Sequence, residues 1–277
     1  YVDVANRIYN GIADMDLDLP YPKDIMKEIA INVAIYFEDK MSGIGLWNAF
    51  VAIHSRTYKR QLPFYDNFSE LYDDDVNFHD VQLLVWVVIS RRFNDRFINP
   101  SGMGFDAARA IMSVLDEDDE VEVNDALCEF IYNAENANDY FKMKQVLIWL
   151  RRSYLLCSPL SEERFNGYLD TFRKTFFSEG EKIYYAETAM LMTTEIGPMA
   201  MLPHLWLADM FSGKGMKDEA DKLRGLRYCQ QEVFEVINAS RNYAILKDSK
   251  GEEYKLANDY PDMFVKGKYV FTALVKY

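Results

Sequence analysis

The chain has few of the side chains that protein active sites most often use. Its 277 residues include three cysteines and three histidines. Cys128, Cys157 and Cys229 are odd in number, far apart and without CxxC spacing, so the sequence predicts neither a disulfide framework nor a zinc site. From this cysteine usage we expect a reducing, cytoplasmic compartment.

The common motifs of nucleophilic and nucleotide-dependent enzymes are also missing. There is no Gly-x-Ser-x-Gly elbow, no phosphate loop with Gly-Lys-Ser or Gly-Lys-Thr, and no dinucleotide fingerprint after a strand. The pairs at Gly43-Ile44-Gly45 and Gly102-Met103-Gly104 lack a third glycine, and we interpret them as helix stops. No Glu-x-x-His pair occurs, which argues against a di-metal helical bundle. We therefore predict no catalytic residue, no cofactor and no metal ligand.

Positive charge and long apolar runs are scarce as well. The chain has 44 acidic and 31 basic residues, for a net charge of −13. This charge opposes binding to nucleic acid and to anionic membranes, because that binding depends on attraction to phosphate. No apolar run approaches the length of about 18 residues that a membrane helix needs. The acidic run at 116–120 lacks the glycine and alternating donors of a calcium loop, so we interpret it as a solvated loop.

The apolar residues that are present concentrate in two stretches, residues 24–60 and 80–93. Within them, segments 25–37, 46–53 and 81–89 leave almost no continuous polar face. A helix that is apolar nearly all round is buried. We therefore expect these three segments to form the centre of a multi-helix core around which later helices pack.

The following part of the chain is also predicted to be helical. Asn124 is typical of a helix cap, and Ser178 with Glu181 has the form of a capping box. We expect Pro159 to end a long helix that starts after residue 138. The next helix should then carry Phe165, Leu169, Phe172 and Phe176 on one face. Segments 202–211 and 216–229 should form a helical hairpin.

The character of the sequence changes at residue 232. Apolar and polar residues alternate at 233–237 and 252–256, and apolar runs occur at 243–246 and 268–275, which predicts four short strands. Residues 248–251 have hairpin-turn chemistry. The predicted fold is mainly α: an α-helical domain at 1–231, followed by a small antiparallel β module at 232–277, SH3-like or a partial barrel. A last strand with an open edge is usually paired or protected, so we expect the chain or its pairing to continue past Tyr277.

The net charge follows the same division. Residues 232–277 contain seven basic and seven acidic side chains, so the whole charge of −13 belongs to residues 1–231. The β module therefore lacks the basic surface that nucleic-acid binding would need.

Basic residues recur at the ends of the apolar helices. They are Arg56, Arg91, Arg92, Arg151 and Arg152, each close to an aromatic residue. Attraction to the helix dipole is a sufficient explanation, since it stabilises a cation in the last turn by up to about 1 kcal/mol. The alternative is that the arginines converge into a basic pocket for a phosphate or carboxylate ligand. That alternative fails if they lie on different faces of the fold.

His54 and the carboxylates of Glu38 and Asp39 suggest a possible acid–histidine pair. The short connection between their two helices argues against it. If the helices pack antiparallel, the carboxylates come close to Trp47 and not to His54. We therefore predict a capped helix end and a partly buried histidine.

Four segments carry a resemblance to a known family. They are Ser42-Gly43-Ile44-Gly45-Leu46-Trp47-Asn48, Gln61-Leu62-Pro63-Phe64-Tyr65, Asp80-Val81-Gln82-Leu83-Leu84-Val85-Trp86 and Phe234-Glu235-Val236-Ile237. In these the chain resembles an uncharacterised bacterial family with a helical body and a small β module. The resemblance implies no activity and no functional residue, and by analogy it favours binding over catalysis.

Two functional hypotheses follow. The first is a non-catalytic binding or scaffolding protein, with a protein or peptide partner held between the helical body and the β module. The alternative is an enzyme or a binder of a small anionic ligand that uses the arginines at helix C-termini.

Overall fold

The structure is a computed structural model that describes residues 1–15, 22–65, 76–92, 103–116, 122–137, 139–257 and 264–276. In this part of the chain the fold is mainly α with a C-terminal four-stranded antiparallel sheet that curls into a half-barrel, which confirms the predicted fold class. The predicted connections at 66–75 and 99–102, and most of the acidic run at 116–120, lie outside the described residues.

The described elements follow one another in this order: α1 (Val2–Ala13), α2 (Lys23–Met41), α3 (Leu46–Tyr58), α4 (Phe78–Arg92), α5 (Met103–Leu115), α6 (Asp125–Tyr132), a 3₁₀ turn (Ala134–Ala137), α7 (Tyr140–Arg151), α8 (Pro159–Phe172), α9 (Glu179–Thr193), α10 (Pro203–Gly213), α11 (Lys217–Gly225), β1 (Arg227–Ala239), β2 (Tyr243–Lys247), β3 (Glu253–Ala257) and β4 (Tyr269–Lys276).

Helices α2, α3 and α4 lie at the centre of the helical body, as their composition predicts. α2 packs against α1, α3 and α4, and α3 packs against α10. Most of their apolar side chains are buried, and Trp47 is among the largest fully buried residues. Ile31 is an exception, because it is 42% exposed beside an open groove between α1 and α2.

Two helix ends differ from the prediction. Pro159 does not end a helix but is the first residue of α8, and the Ser158 side chain caps that helix by accepting a hydrogen bond from the Ser161 N–H. Proline suits this position because the first N–H of a helix has no partner within the helix. α8 ends at Phe172, so Phe176 lies beyond it and does not share its face.

The sheet has the strand order β3-β2-β1-β4 with all neighbours antiparallel. Its inner face buries a small core of Phe234, Val236, Ala244, Leu246 and Phe264. The predicted turn at 248–251 is present, with the Gly251 N–H bonded to the Asp248 carbonyl at 3.1 Å.

The first strand starts earlier than the alternation predicts. Helix α11 ends at Gly225, and β1 begins at Arg227, where the hairpin helix was expected to continue. The reason is a non-local pairing, because Arg227 lies opposite Lys276 of β4. β4 is an edge strand, and part of its edge is covered by the helical body, since the Tyr185 hydroxyl donates to the Phe271 carbonyl at 3.1 Å.

Aromatic rings join the helical body to the sheet. Phe271 of β4 lies 4.8 Å from Tyr185 and 5.1 Å from Phe177, measured between ring centroids. Phe172 of α8 lies 5.9 Å from Tyr185. On the neighbouring strand, the Gln231 side-chain amide donates to the Tyr185 carbonyl at 3.0 Å. The sheet is therefore held on α8 and α9 by specific contacts.

Position 197, in the turn between α9 and α10, is expected to require glycine. Gly197 has φ +72, and a Cβ added to it would clash with Leu156 and lie 3.1 Å from Trp206 Cζ2. We expect Gly197→Ala to lower the free energy of unfolding by about 2–4 kcal/mol, because it adds backbone strain and overpacks a full core. Urea denaturation measures this loss.

The matched control is Gly167→Ala in α8, where nothing lies within 4 Å of an added Cβ. This substitution should stabilise the protein by about 0.5–1 kcal/mol, since alanine favours the helix more than glycine does. Equal stability of the two variants would contradict the packing argument.

Candidate functional site

The Asp39 carboxylate lies at the corner between α2 and α3. Although buried, it accepts hydrogen bonds from the backbone N–H groups of Gly45 (2.7 Å), Leu46 (3.0 Å) and Trp47 (2.7 Å). The Tyr154 hydroxyl donates a further bond at 3.2 Å. Burial raises the pKa of the Asp39 carboxyl, and these hydrogen bonds oppose the rise. The prediction of a capped helix end near Trp47 is confirmed.

Asp80 is a second buried carboxylate, at the start of α4. It accepts hydrogen bonds from the hydroxyls of Tyr36 (2.8 Å) and Tyr65 and from the Asn77 amide (3.0 Å). Burial is again the main reason why its pKa is raised. Because both carboxylates are bonded to groups of the protein itself, we interpret them as structural.

Lys144 of α7 is a buried cation that sequence analysis missed. Its Nζ donates to Thr188 Oγ1 at 2.7 Å and to the Tyr184 carbonyl at 3.1 Å, and it lies 3.3 Å from the centre of the Tyr184 ring. Burial lowers its pKa to about 8, against an opposing effect of Glu187. A signal was present, because Lys144 lies on the same helical face as the buried Leu147 and Arg151.

The arginines at the helix ends do not converge. Four of them form ion pairs with separate carboxylates: Arg56 with Asp209 (2.9 Å), Arg92 with Glu28 (2.9 Å), Arg151 with Glu162 (2.7 Å) and Arg152 with Glu187 (3.2 Å). Arg56, Arg91 and Arg152 line three different cavities. The alternative hypothesis of one basic pocket built from these residues is therefore wrong.

Arg91 instead lines a cavity together with Arg60 and His54. This cavity, the aromatic cavity, has a volume of about 320 Å³ and lies between α3 and α4, with further walls from residues 60–63, 154–155 and 198–199. No local spacing could have indicated it, because its described walls come from six separate segments, with Asn32 of α2 as the sixth. The residue next to Arg91 in the sequence, Arg92, pairs with Glu28 of α2 instead.

Three exposed apolar side chains belong to residues near the aromatic contact between α8, α9 and the sheet. Phe176 is 108% exposed, Tyr269 is 72% exposed and Val233 is 52% exposed. Val233 lies opposite Phe271, and Tyr269 precedes Phe271 by two residues, so all three face the same side of the sheet. We call Phe176, Val233 and Tyr269 the junction surface.

Other kinds of site find no support in the described residues. Among them, no group of three or more His, Cys, Asp or Glu side chains is placed to hold a metal ion. In the same ranges, no helix has the length and apolar character to cross a membrane. Cys128 and Cys157 are free thiols.

Comparison with known proteins identifies the family. The family described as "Protein of unknown function (DUF3843)" matches residues 1–254, which include the helical body and the first strands of the sheet. The chain belongs to this family, and the expected resemblance to an uncharacterised family is confirmed. Searches of curated proteins and of solved structures give no match.

The Asp39 cap generates a stability prediction. Asp39→Ala leaves two buried N–H groups and one partly buried N–H group without their acceptor, so we expect the free energy of unfolding to fall by about 3 kcal/mol. The control is Glu135→Ala, which removes an exposed ion pair with Lys142 and should leave the free energy of unfolding close to that of wild type. Chemical denaturation measures the free energy of unfolding of both variants. A loss below about 1 kcal/mol for Asp39→Ala would contradict the capping role.

The lowered pKa of Lys144 generates a pH prediction. The native state releases this proton near pH 8, whereas the unfolded chain keeps it up to the ordinary pKa of 10.5. Between these values the unfolded state binds more protons, so the unfolding free energy rises with pH. Relative to Lys144→Met, which cannot titrate, the unfolding free energy of wild type should rise by at most about 3.4 kcal/mol across this range, at 1.36 kcal/mol per pKa unit.

Urea unfolding at several pH values between 7.5 and 10.5 measures this difference, with both proteins in the same buffers. A difference that stays constant with pH would show that Lys144 has an ordinary pKa in the folded protein.

Proposed function

We propose that this member of the DUF3843 family is a non-catalytic binding protein, and that a partner protein docks on the junction surface. The observation that carries the proposal is the exposure of Phe176, Val233 and Tyr269 beside the contact between helical body and sheet. Exposed apolar groups that form one surface are typical of protein interaction sites. Aromatic residues contribute disproportionately to such interfaces.

The backbone that follows Phe176 is held by the contacts of the next two residues, whereas the Phe176 side chain is fully exposed. The next residue, Phe177, packs between Tyr185 and Phe271, with ring centroids 5.1 Å from each. Ser178 then starts α9 with a capping box, in which its side chain accepts from the Glu181 N–H and the Glu181 side chain accepts from the Ser178 N–H. An aromatic ring presented from an ordered turn loses less conformational entropy on binding than one on a free loop.

Charge indicates the chemistry of the partner. Residues 1–231 have all of the net charge of −13, so a molecule that approaches the body meets a negative potential. Electrostatic complementarity accelerates and orients protein association. The proposed partner therefore presents apolar side chains within a basic surface. The pairing of four of the five helix-end arginines with separate carboxylates counts against the alternative in which these arginines form one site.

The test compares a junction variant with a matched surface variant. The junction variant is Phe176→Ser with Tyr269→Ser, and the control is Phe141→Ser with Leu160→Ser, whose side chains are 52% and 56% exposed on α7 and α8. Both should fold with unfolding free energies within about 1 kcal/mol of wild type, because the changed side chains are exposed. Each protein is used for affinity capture from the native cell with quantitative mass spectrometry.

A specific partner should be recovered with wild type and with the control, and at least about tenfold less with the junction variant, which corresponds to about 1.4 kcal/mol. Its purified complex should weaken as salt rises, since added ions screen the charges. Equal recovery with all three proteins would overturn the proposed surface.

A further inference from the structure

We propose that the aromatic cavity binds a small molecule with an apolar, ring-containing body and one carboxylate group. This site is separate from the junction surface and does not depend on the proposed partner. Its volume of about 320 Å³ falls within the range of natural small-molecule sites. Two tryptophans, Trp47 and Trp86, contribute to its wall together with aliphatic side chains of α4.

The charges at the cavity are unusual for this chain. The chain has 44 acidic residues, yet among the described residues no Asp or Glu contributes to the lining, whereas Arg60 and Arg91 both do. Neither arginine forms an ion pair within the described ranges of the chain, although the adjacent Arg92 pairs with Asp24 and Glu28. An anion in the cavity would therefore meet two cations that have no direct ion-pair partner among the described residues, although Glu28 acts on Arg91 from a longer distance.

The two arginines differ in their surroundings. Arg60 lies 5.8 Å from the centre of the Tyr58 ring, a cation–π contact that leaves its N–H groups available. Arg91, at the end of α4, is exposed to water, although desolvation by nearby residues lowers its pKa. A counter-ion in the cavity would favour the charged form of Arg91, because opposite charges attract.

His54 adds a neutral polar group to the same wall. Its ring centroid lies 4.9 Å from that of Tyr58 and 6.2 Å from that of Phe50. Its Nδ1 atom is buried and has no hydrogen-bond partner in the part of the chain that the structure describes. A ligand atom that bonded to this nitrogen would satisfy a polar group that is costly to leave unpaired.

These features favour a carboxylate over a phosphate ester. The lining is mostly apolar. A phosphate ester with two negative charges would lose more hydration free energy there than its contacts with two arginines would restore. A single carboxylate can accept the paired N–H donors of a guanidinium, while a ring packs against the tryptophans. Aromatic carboxylates are the simplest molecules of this class.

The test uses 4-phenylbutyrate and its neutral analogue 4-phenylbutanamide as probes, with the full chain and isothermal titration calorimetry. The site variant is Arg60→Met with Arg91→Met, which keeps the apolar stems and removes both charges. The matched control is Arg92→Met with Arg109→Met, at residues that do not line the cavity. Urea unfolding confirms that each variant is folded.

We expect wild type to bind 4-phenylbutyrate with a Kd below about 1 mM and more tightly than the amide. The site variant should bind the acid at least about tenfold more weakly than wild type does, a change of about 1.4 kcal/mol. It should bind the amide with the same affinity as wild type. The control should bind the acid unchanged. A second variant, Val87→Trp, should weaken both probes by filling the cavity.

The proposal is overturned if wild type binds the acid no more tightly than the amide, if the site variant retains full affinity for the acid, or if no binding is detected at millimolar probe. Displacement of the acid by inorganic phosphate at equal concentration would also overturn it, because it would assign the site to phosphate groups.

Discussion

The hydrogen bonds between the Asp39 carboxylate and the start of α3 determine much of the arrangement of the helical body. One buried side chain at the end of α2 accepts from three successive N–H groups and so sets the angle at which α3 leaves the corner. Gly45 makes the approach possible with φ +84, and the Tyr132 hydroxyl bonds to the Ile44 carbonyl in the same connection. Because unpaired groups in a core are costly, few other arrangements of this corner are stable.

The same corner connects the helical core to the aromatic cavity. Trp47, whose N–H bonds to Asp39, and Tyr154, whose hydroxyl bonds to Asp39, both contribute to the cavity wall. On the other side of the core, Asp80 ties α4 to Tyr36 of α2. Buried polar groups therefore position the walls, and apolar packing supplies most of the stability. Such groups are satisfied only in one arrangement, which favours a unique fold.

The protein presents two surfaces with different chemistry. The junction surface is open, apolar and aromatic, and it belongs to a chain whose helical part is negatively charged. The aromatic cavity is concave and has cationic groups at its lining. The junction surface suits a large partner that buries the exposed rings, and the aromatic cavity suits a small ligand. They lie on different elements, so the two proposals stand independently of each other.

The sequence alone determined the features that depend on neighbouring residues. Apolar composition identified the buried segments that became α2, α3 and α4, and the Ser178–Glu181 capping box and the turn at 248–251 followed from local chemistry. The short connection after α2 was enough to place Asp39 near Trp47. In each case the relevant atoms are close along the chain, so the pattern of residues reports the geometry directly.

Only the tertiary structure decided the rest. The early start of β1 depends on its pairing with β4, nearly fifty residues later in the chain at Arg227 and Lys276. The arginines at the helix ends looked alike in sequence, yet four of the five pair with separate carboxylates, according to which helix packs beside each. Arg60 and Arg91 meet at one cavity because α3 and α4 bring distant segments together. Such contacts depend on how the helices pack, and the spacing of residues along the chain does not reveal that packing.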